Sequence, residues 1–353
     1  MAYQNVGTPR FYIDILQWYT AIGAGSATKP AIGLNPSSLV DIDMNETGEV
    51  PYPEFFYHFN ASTKVKFNYF GILGHTNATD NYYINVDDGT FYMNNLGLEE
   101  IVNIYTTIDE DTGFANFGFE HNGFSLMKLT DLQDQAFETI NIRVGTPIGC
   151  FTMGNIYEMG HAPDLKLTMA YEYDGIKSAT TKGGHTLSNA SYLKPADWGN
   201  MGAWQLSSTT ETGQSAVPSN LRSGRRVIDL SFSFLADTDM FPVNASSGYS
   251  AYTNDGYHTD TLNPTTGVAD ISTTSETGGT AGAFNSNILD GTDFFSQCWN
   301  KTLAGHLPMI VQMDKDNNNP DQFMLARFDQ SSLKVKQTMH RRYDVKLKIR
   351  ECW

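Results

Sequence analysis

Near its end the chain alternates without a break. Tyr343, Val345, Leu347 and Ile349 fall on one side, and Asp344, Lys346, Lys348 and Arg350 on the other. That is the period-two pattern of a strand with one face in a core and the other in water. A helix would bring together residues three and four apart and would scatter both sets. Two further extended pieces precede it, the apolar Leu307 to Met313 and Gln322 to Phe328. Between them lies Asp314-Lys315-Asp316-Asn317-Asn318-Asn319-Pro320-Asp321, where Asx side chains and proline favour a reversal. A strand of this quality is expected to be tied into a sheet, and the rest of the chain must supply its neighbours.

Strand signals of that kind recur upstream with turn residues between them. They are Leu39 to Met44, Lys64 to Leu73, Tyr82 to Val86, Gly118 to Leu126, Ala136 to Val144, Cys150 to Tyr157, Lys166 to Tyr173 and Arg225 to Phe234. Helical signals are confined to Leu98–Tyr105 and to Asp293–Leu303, where Asp293 suits an N-cap and Gly305 a C-terminal stop. Only 18% of the 353 residues are charged. With Gly, Asn, Ser, Thr, Tyr and Phe abundant, the balance favours strands and turns. The expected class is all-β, a β-sandwich of jelly-roll type. Residues 36–236 form the sandwich and 291–353 complete it with a short helix and strands. Residues 237–290, rich in Ser, Thr and Gly, form a long surface excursion whose Tyr249, Tyr252 and Tyr257 are candidates to dock on a neighbour. Residues 1–35 stand apart as an N-terminal arm. Its run Phe11 to Tyr19, with Trp18 as an interface candidate, is too aromatic for a free tail and packs on its own body or on a neighbour.

The net charge of −16 argues against nucleic acid as the main ligand, because neutralising phosphates takes an excess of Lys and Arg. Yet Lys334, Lys336, Arg341, Arg342, Lys346, Lys348 and Arg350 crowd into the last twenty residues, out of 23 basic residues in all. Two readings fit: a solvated strand face, or a contact surface for an acidic neighbour such as another copy of the chain. Cys150, Cys298 and Cys352 have no short spacing, so buried thiols are expected rather than disulfides or a zinc site. The first 25 residues lack the pattern of a secretory signal, and no stretch of ~18 apolar residues suggests a membrane span. The sequons, such as Asn60 and Asn300, are expected to be accidents of composition.

Several short motifs resemble, in their order, those of minor tail proteins of tailed bacteriophages. They are Gly71-Ile72-Leu73-Gly74-His75, then Gly154-Asn155-Ile156-Tyr157 with His161-Ala162-Pro163-Asp164-Leu165, then Asp174-Gly175-Ile176 and Gly183-Gly184. Gly224 to Phe234 and the closing Tyr343 to Glu351 follow. The resemblance covers most of residues 35–353, and its weight lies in the shared order, since no single motif is specific. It implies a galactose-binding-like β-sandwich and a structural place in the virion, near the tail tip or baseplate, after synthesis in the host bacterial cytoplasm. Its partners would be further copies of the chain and other tail proteins, with no membrane and no cofactor. The 237–290 excursion departs from the pattern.

Arg225 and Arg226, just after Gly224, are rigid forks suited to carboxylates. They fit either a salt bridge at the sandwich edge or a contact with the next subunit. His75, closing a strand after glycine, reads as a turn residue before it reads as a metal ligand. No G-x-S-x-G elbow, H-E-x-x-H pair or P-loop lysine is present. Asp314 to Asn318 opens like a calcium loop, but Asn319 stands where glycine is required and Leu325 where glutamate is. A glycosidase would need only two suitably spaced carboxylates, but no cluster stands out, and no enzyme is expected. Two roles remain. One is an assembly part whose interface candidates are Arg225, Arg226, Lys346, Lys348, Arg350 and Trp18. The alternative is a carbohydrate-binding module for a host surface glycan, with Trp198 and Trp204 as stacking candidates in a Gly/Asn-rich stretch.

Overall fold

A computed structural model describes residues 7–27, 33–34, 54–65, 67–73, 82–87, 102–104, 124–128, 135–144, 150–172, 176–190, 225–241, 291–318 and 322–352. In chain order the elements are β1 (Arg10–Asp14), helix α1 (Ile15–Ala21), β2 (Gly25–Ala27), β3 (Glu54–Val65), β4 (Tyr69–Leu73), β5 (Tyr82–Asp87) and β6 (Val102–Ile104). They continue with β7 (Phe124–Lys128), β8 (Gln135–Val144), β9 (Cys150–Glu158), β10 (Thr168–Glu172), β11 (Ile176–Thr180) and β12 (Thr186–Ala190). After β13 (Arg225–Ala236) and a single turn α2 (Asp237–Met240) comes a π-helical segment, Phe295–Asn300. The chain then runs through β14 (Met309–Gln312), β15 (Phe323–Phe328), β16 (Val335–Met339) and β17 (Arg342–Glu351). The class is all-β.

Among the described residues, one ten-stranded antiparallel sheet dominates, in the order β10-β13-β17-β15-β14-β1-β9-β4-β7 with β16 attached to β17. A five-stranded sheet runs β2-β3-β8-β5-β6, and β11 and β12 form a separate hairpin. β17 pairs along one edge with β13, from Val227 opposite Arg350 to Ala236 opposite Arg342. Its other edge is shared, β16 taking the Arg342 end and β15 the Glu351 end.

The expected arm is instead an inner strand. β1 lies between β14 and β9, with Tyr12 opposite Ile310 on one side and Ile156 on the other. Its stretch showed no alternation because both faces are sealed. Phe11 and Ile13 enter one core cluster and Tyr12 the other. Gly154 on β9 permits this contact, since the Ile13 carbonyl oxygen sits where a Cβ would stand.

The two faces of the large sheet therefore differ along its width. The first face is apolar across its width, from Phe11 and Val311 through Met324 to Ile228, Phe232 and Leu347, apart from the buried Arg226 and Glu351. It is covered by Phe294, Cys298 and Trp299, and by Met240 of α2. The i→i+5 winding of Phe295–Asn300 differs from the α-helix expected over Asp293–Leu303, and it lets Phe294 and Trp299 reach the sheet together. Asp293 caps it as expected, accepting from the Ser296 N–H at 2.9 Å and the Ser296 hydroxyl at 2.8 Å. Gly305 follows in the left-handed region, at φ 86°. Among the described residues the second face is apolar beneath β15, β14, β1, β9, β4 and β7, around Tyr12, Tyr69, Leu126, Ile310, Phe323 and Leu325. Beyond β15 it becomes charged.

The Leu98–Tyr105 helix is corrected, because Val102–Ile104 is a strand paired with β5. The expected Lys64–Leu73 strand is two strands in different sheets, with residues 66–68 between them. The Leu39–Met44 strand, residues 242–290 of the excursion, and His75 lie outside the described residues. Cys150, Cys298 and Cys352 are free thiols. Burial holds the Cys150 and Cys298 thiols well above their usual range. No described helix is long and apolar enough to cross a membrane.

Candidate functional site

The charged half of the second face is built by β17 and its neighbours. With Val345, Leu347 and Ile349 turned into the first-face core, Asp344, Lys346, Lys348 and Arg350 must face the other way. Lys348 Nζ lies 2.9 Å from Asp329 Oδ2, and Arg350 Nη2 reaches 2.8 Å to Glu172 Oε2 on β10. Through this pairing Lys348 is raised and Asp329 lowered from their ordinary pKa values, each chiefly by the hydrogen bond to the other. Both pairs are partly solvated, one reaching across β13 to β10 and the other to the residue after β15, and each contributes little to stability. Lys346, opposite Ser231, is exposed and has no ion pair among the described residues.

Of the two arginines on β13, Arg226 is an internal group. It is 3% exposed, and Glu351, its ion-pair partner on the neighbouring β17, is 1% exposed. Its Nη2 lies 3.0 Å from Glu351 Oε1 and donates to the Phe323 carbonyl at 2.8 Å, while its backbone N–H donates to Glu351 Oε2 at 2.9 Å. The interface reading of Arg226 is therefore corrected to a strand-to-strand tie. Burial of this kind demands a partner with its geometry satisfied, which the bidentate fork provides. The signal was present in the sequence. Arg226 and Glu351 are charged residues in the apolar register of two otherwise apolar strand faces. Arg225 is partly buried at the start of the strand. Trp18 is also inside the protein, buried in α1 with its ring 4.8 Å from that of Tyr19. Trp198 and Trp204 lie outside the described residues.

The hairpin of β16 and β17 gathers most of what remains exposed. Arg341, at its turn with φ 56°, is tied to Asp237 of α2 by a 2.8 Å contact from Nε to Oδ2. Lys334, Lys336, His340 and Arg342 are exposed. Alongside, β13 contains a bulge where Ser233 and Phe234 stand against the single residue Asp344. Phe234 adopts φ 63° and is 57% exposed, and its N–H donates to Asp344 Oδ1 at 3.2 Å. Thr338 Oγ1 of β16 donates to the same oxygen at 3.2 Å, so three strands meet at one carboxylate. Met339, opposite Arg342, is 58% exposed.

A second polar cluster lies within the fold. Asp14 is buried between β1 and α1, where it caps the helix by accepting from the Gln17 N–H at 3.0 Å and also accepts from the Leu34 N–H. Thr152 Oγ1 bonds to it as well and lies 3.1 Å from the Tyr69 hydroxyl. Burial raises the Asp14 carboxyl to about 6 against these hydrogen bonds. Every partner is a structural donor, so the cluster joins strand, helix and loop. Tyr57 adds a further tie, donating to the Leu16 carbonyl at 2.8 Å from the five-stranded sheet. Among the described residues no three His, Cys, Asp or Glu side chains converge as a metal site.

These features define an all-β scaffold whose buried polar groups serve internal ties and whose exposed chemistry concentrates on a basic strand hairpin. No protein-family model matches the chain, and no curated protein matches it. A solved structure, CpGH89CBM32-6 produced by Clostridium perfringens, is similar at 14% identity and a TM-score of 0.22, over 37% of this chain and 92% of that one. A TM-score of that size says nothing about this chain's fold or function.

Proposed function

We propose that the chain is a structural component of a tailed-bacteriophage virion, a minor tail protein near the tail tip or baseplate that assembles with copies of itself and with other tail proteins. The large sheet would be one layer of a galactose-binding-like, jelly-roll β-sandwich. The phage part of this reading rests on the order of motifs along the sequence. The observation that carries the assembly role is the division of polar chemistry. Arg226, Glu351, Asp14 and Asp293 are buried and satisfied within the chain, whereas the exposed cations cluster on one hairpin of an acidic protein. A scaffold that acts through surfaces is organised in this way. Mass spectrometry of phage particles purified from a lysate that produces this chain tests the reading. The chain should be present in fixed proportion to known tail proteins after density-gradient purification. Its absence from the particles overturns the proposal.

A further inference from the structure

The β16–β17 hairpin is at odds with the rest of the molecule. Between Lys334 and Arg350 seven basic residues outnumber one acid, Asp344, by six, which leaves the remainder of a chain of net charge −16 at −22. Three of the seven are engaged internally, Arg341 by Asp237, Lys348 by Asp329 and Arg350 by Glu172. Lys334, Lys336, Arg342 and Lys346 are exposed and have no carboxylate partner among the described residues. Next to them stand two large apolar side chains in water, Phe234 and Met339.

Phe234 is the unusual one. A bulky L-residue in the left-handed region is strained, and an aromatic that is 57% exposed gains little from burial to offset that strain. The conformation is nevertheless held from two strands, by Asp344 of β17 and, through the same oxygen, by Thr338 of β16. Strain of this sort persists where surrounding structure enforces it, and it marks positions that serve something other than stability. A basic rim around projecting apolar side chains is the composition of a protein contact, not of a solvated strand face.

We propose that this hairpin, with Phe234, seats on the acidic surface of a second copy of the chain. The inference rests on the assembly reading above and names its contact. Charge complementarity identifies the occupant, since the remainder of every copy is strongly acidic. It also determines the kind of contact. Two hairpins facing each other across a two-fold axis would oppose like charges, so the hairpin of one copy is placed on a different, acidic surface of the next, head-to-tail. Repeated, such a contact closes into a ring or continues as a filament.

Sedimentation velocity of the full chain in about 50 and 500 mM NaCl tests this, because screening between those concentrations is large. The wild-type protein should form oligomers larger than dimers at low salt and dissociate at high salt. Lys334→Glu with Lys346→Glu should weaken association by about tenfold or more while leaving the thermal melt unchanged, since both residues are exposed and neither is paired with a carboxylate among the described residues. Phe234→Gly separates function from fold. It should raise the melting temperature by releasing the strained backbone, and should weaken association at the same time. Four outcomes overturn the inference: a monomer at both salts, association indifferent to the charge reversals, a closed two-fold dimer, or a wild-type hairpin that binds duplex DNA in preference to its own chain. None of these bears on whether the chain is found in virions, so its place in the particle stands or falls separately.

Discussion

Arg350 and Glu351 are neighbours on one strand, and their two ion pairs behave as opposites. Glu351 points into the first-face core and meets Arg226 with both side chains less than 5% exposed. Arg350 points to the second face and meets Glu172 at 2.8 Å with side-chain exposures of 28% and 43%. The distances are alike, so the contrast lies in the surroundings. In a low dielectric an unpaired charge is costly, so neither partner of the buried pair can be lost alone. Near water either partner can be solvated alone, and the outer pair is dispensable. One strand thus carries a structural charge and a solvated one a single residue apart, because β geometry reverses direction at every residue.

The largest effect should follow from breaking the inner pair. Arg226→Ala strands the Glu351 carboxylate and should destabilise the fold by about 3–5 kcal/mol in urea denaturation, while Arg226→Met with Glu351→Leu recovers most of that loss. A single variant that costs less than about 1 kcal/mol would erase the contrast between the two pairs.

Asp14 sharpens the same comparison with a buried acid that has no cation. Its folded-state pKa of about 6 lies above the unfolded value of 3.8, so the folded protein binds the proton more tightly. The stabilisation from that proton is fully present below the unfolded value and is lost as pH rises through the folded one. The wild-type protein should lose up to about 3 kcal/mol on this account between those two pH values. Asp14→Asn should flatten that dependence in urea titrations at a series of pH values. It should also lower stability by about 1 kcal/mol throughout, because asparagine offers one acceptor where the Gln17 and Leu34 N–H groups need two.

The smallest effect belongs to the outer face. Lys348→Ala breaks the contact with Asp329 and should change stability by no more than about 0.5 kcal/mol, and by less in high salt, as read from melting temperature. A larger loss would mean that the outer pairs help hold the sheet together.

Much of the strand layout was legible because alternation or apolar runs mark it. β17, β15, β9, β8 and β5 fall where those patterns run, and Asp293 caps the segment it begins. Two kinds of element were not legible. β1 reads as an undifferentiated apolar stretch because it is sealed on both faces, and nothing in that stretch separates an inner strand from an arm. β11, β12 and β16 are polar or basic and mostly exposed where burial is described, so no periodicity announced them. In the candidate surface, Lys346 stays exposed as expected, whereas Lys348 and Arg350 are paired within the chain and Arg226 is buried. Phe234 reads in the sequence as one more apolar residue of its strand, and the bulge that displaces it appears only in the register with β17.

By itself the sequence determined which segments extend and which of their faces seek a core, since side-chain order alone carries that information. It determined the concentration of positive charge near the end of an acidic chain as well. The tertiary structure alone decided which strands are neighbours. Backbone hydrogen bonding is nearly the same for every strand, so nothing local could place Arg10 opposite Gln312 on one side and Glu158 on the other. The same pairing divides the basic residues of the last stretch into those held by carboxylates brought in from distant strands and those left facing outward.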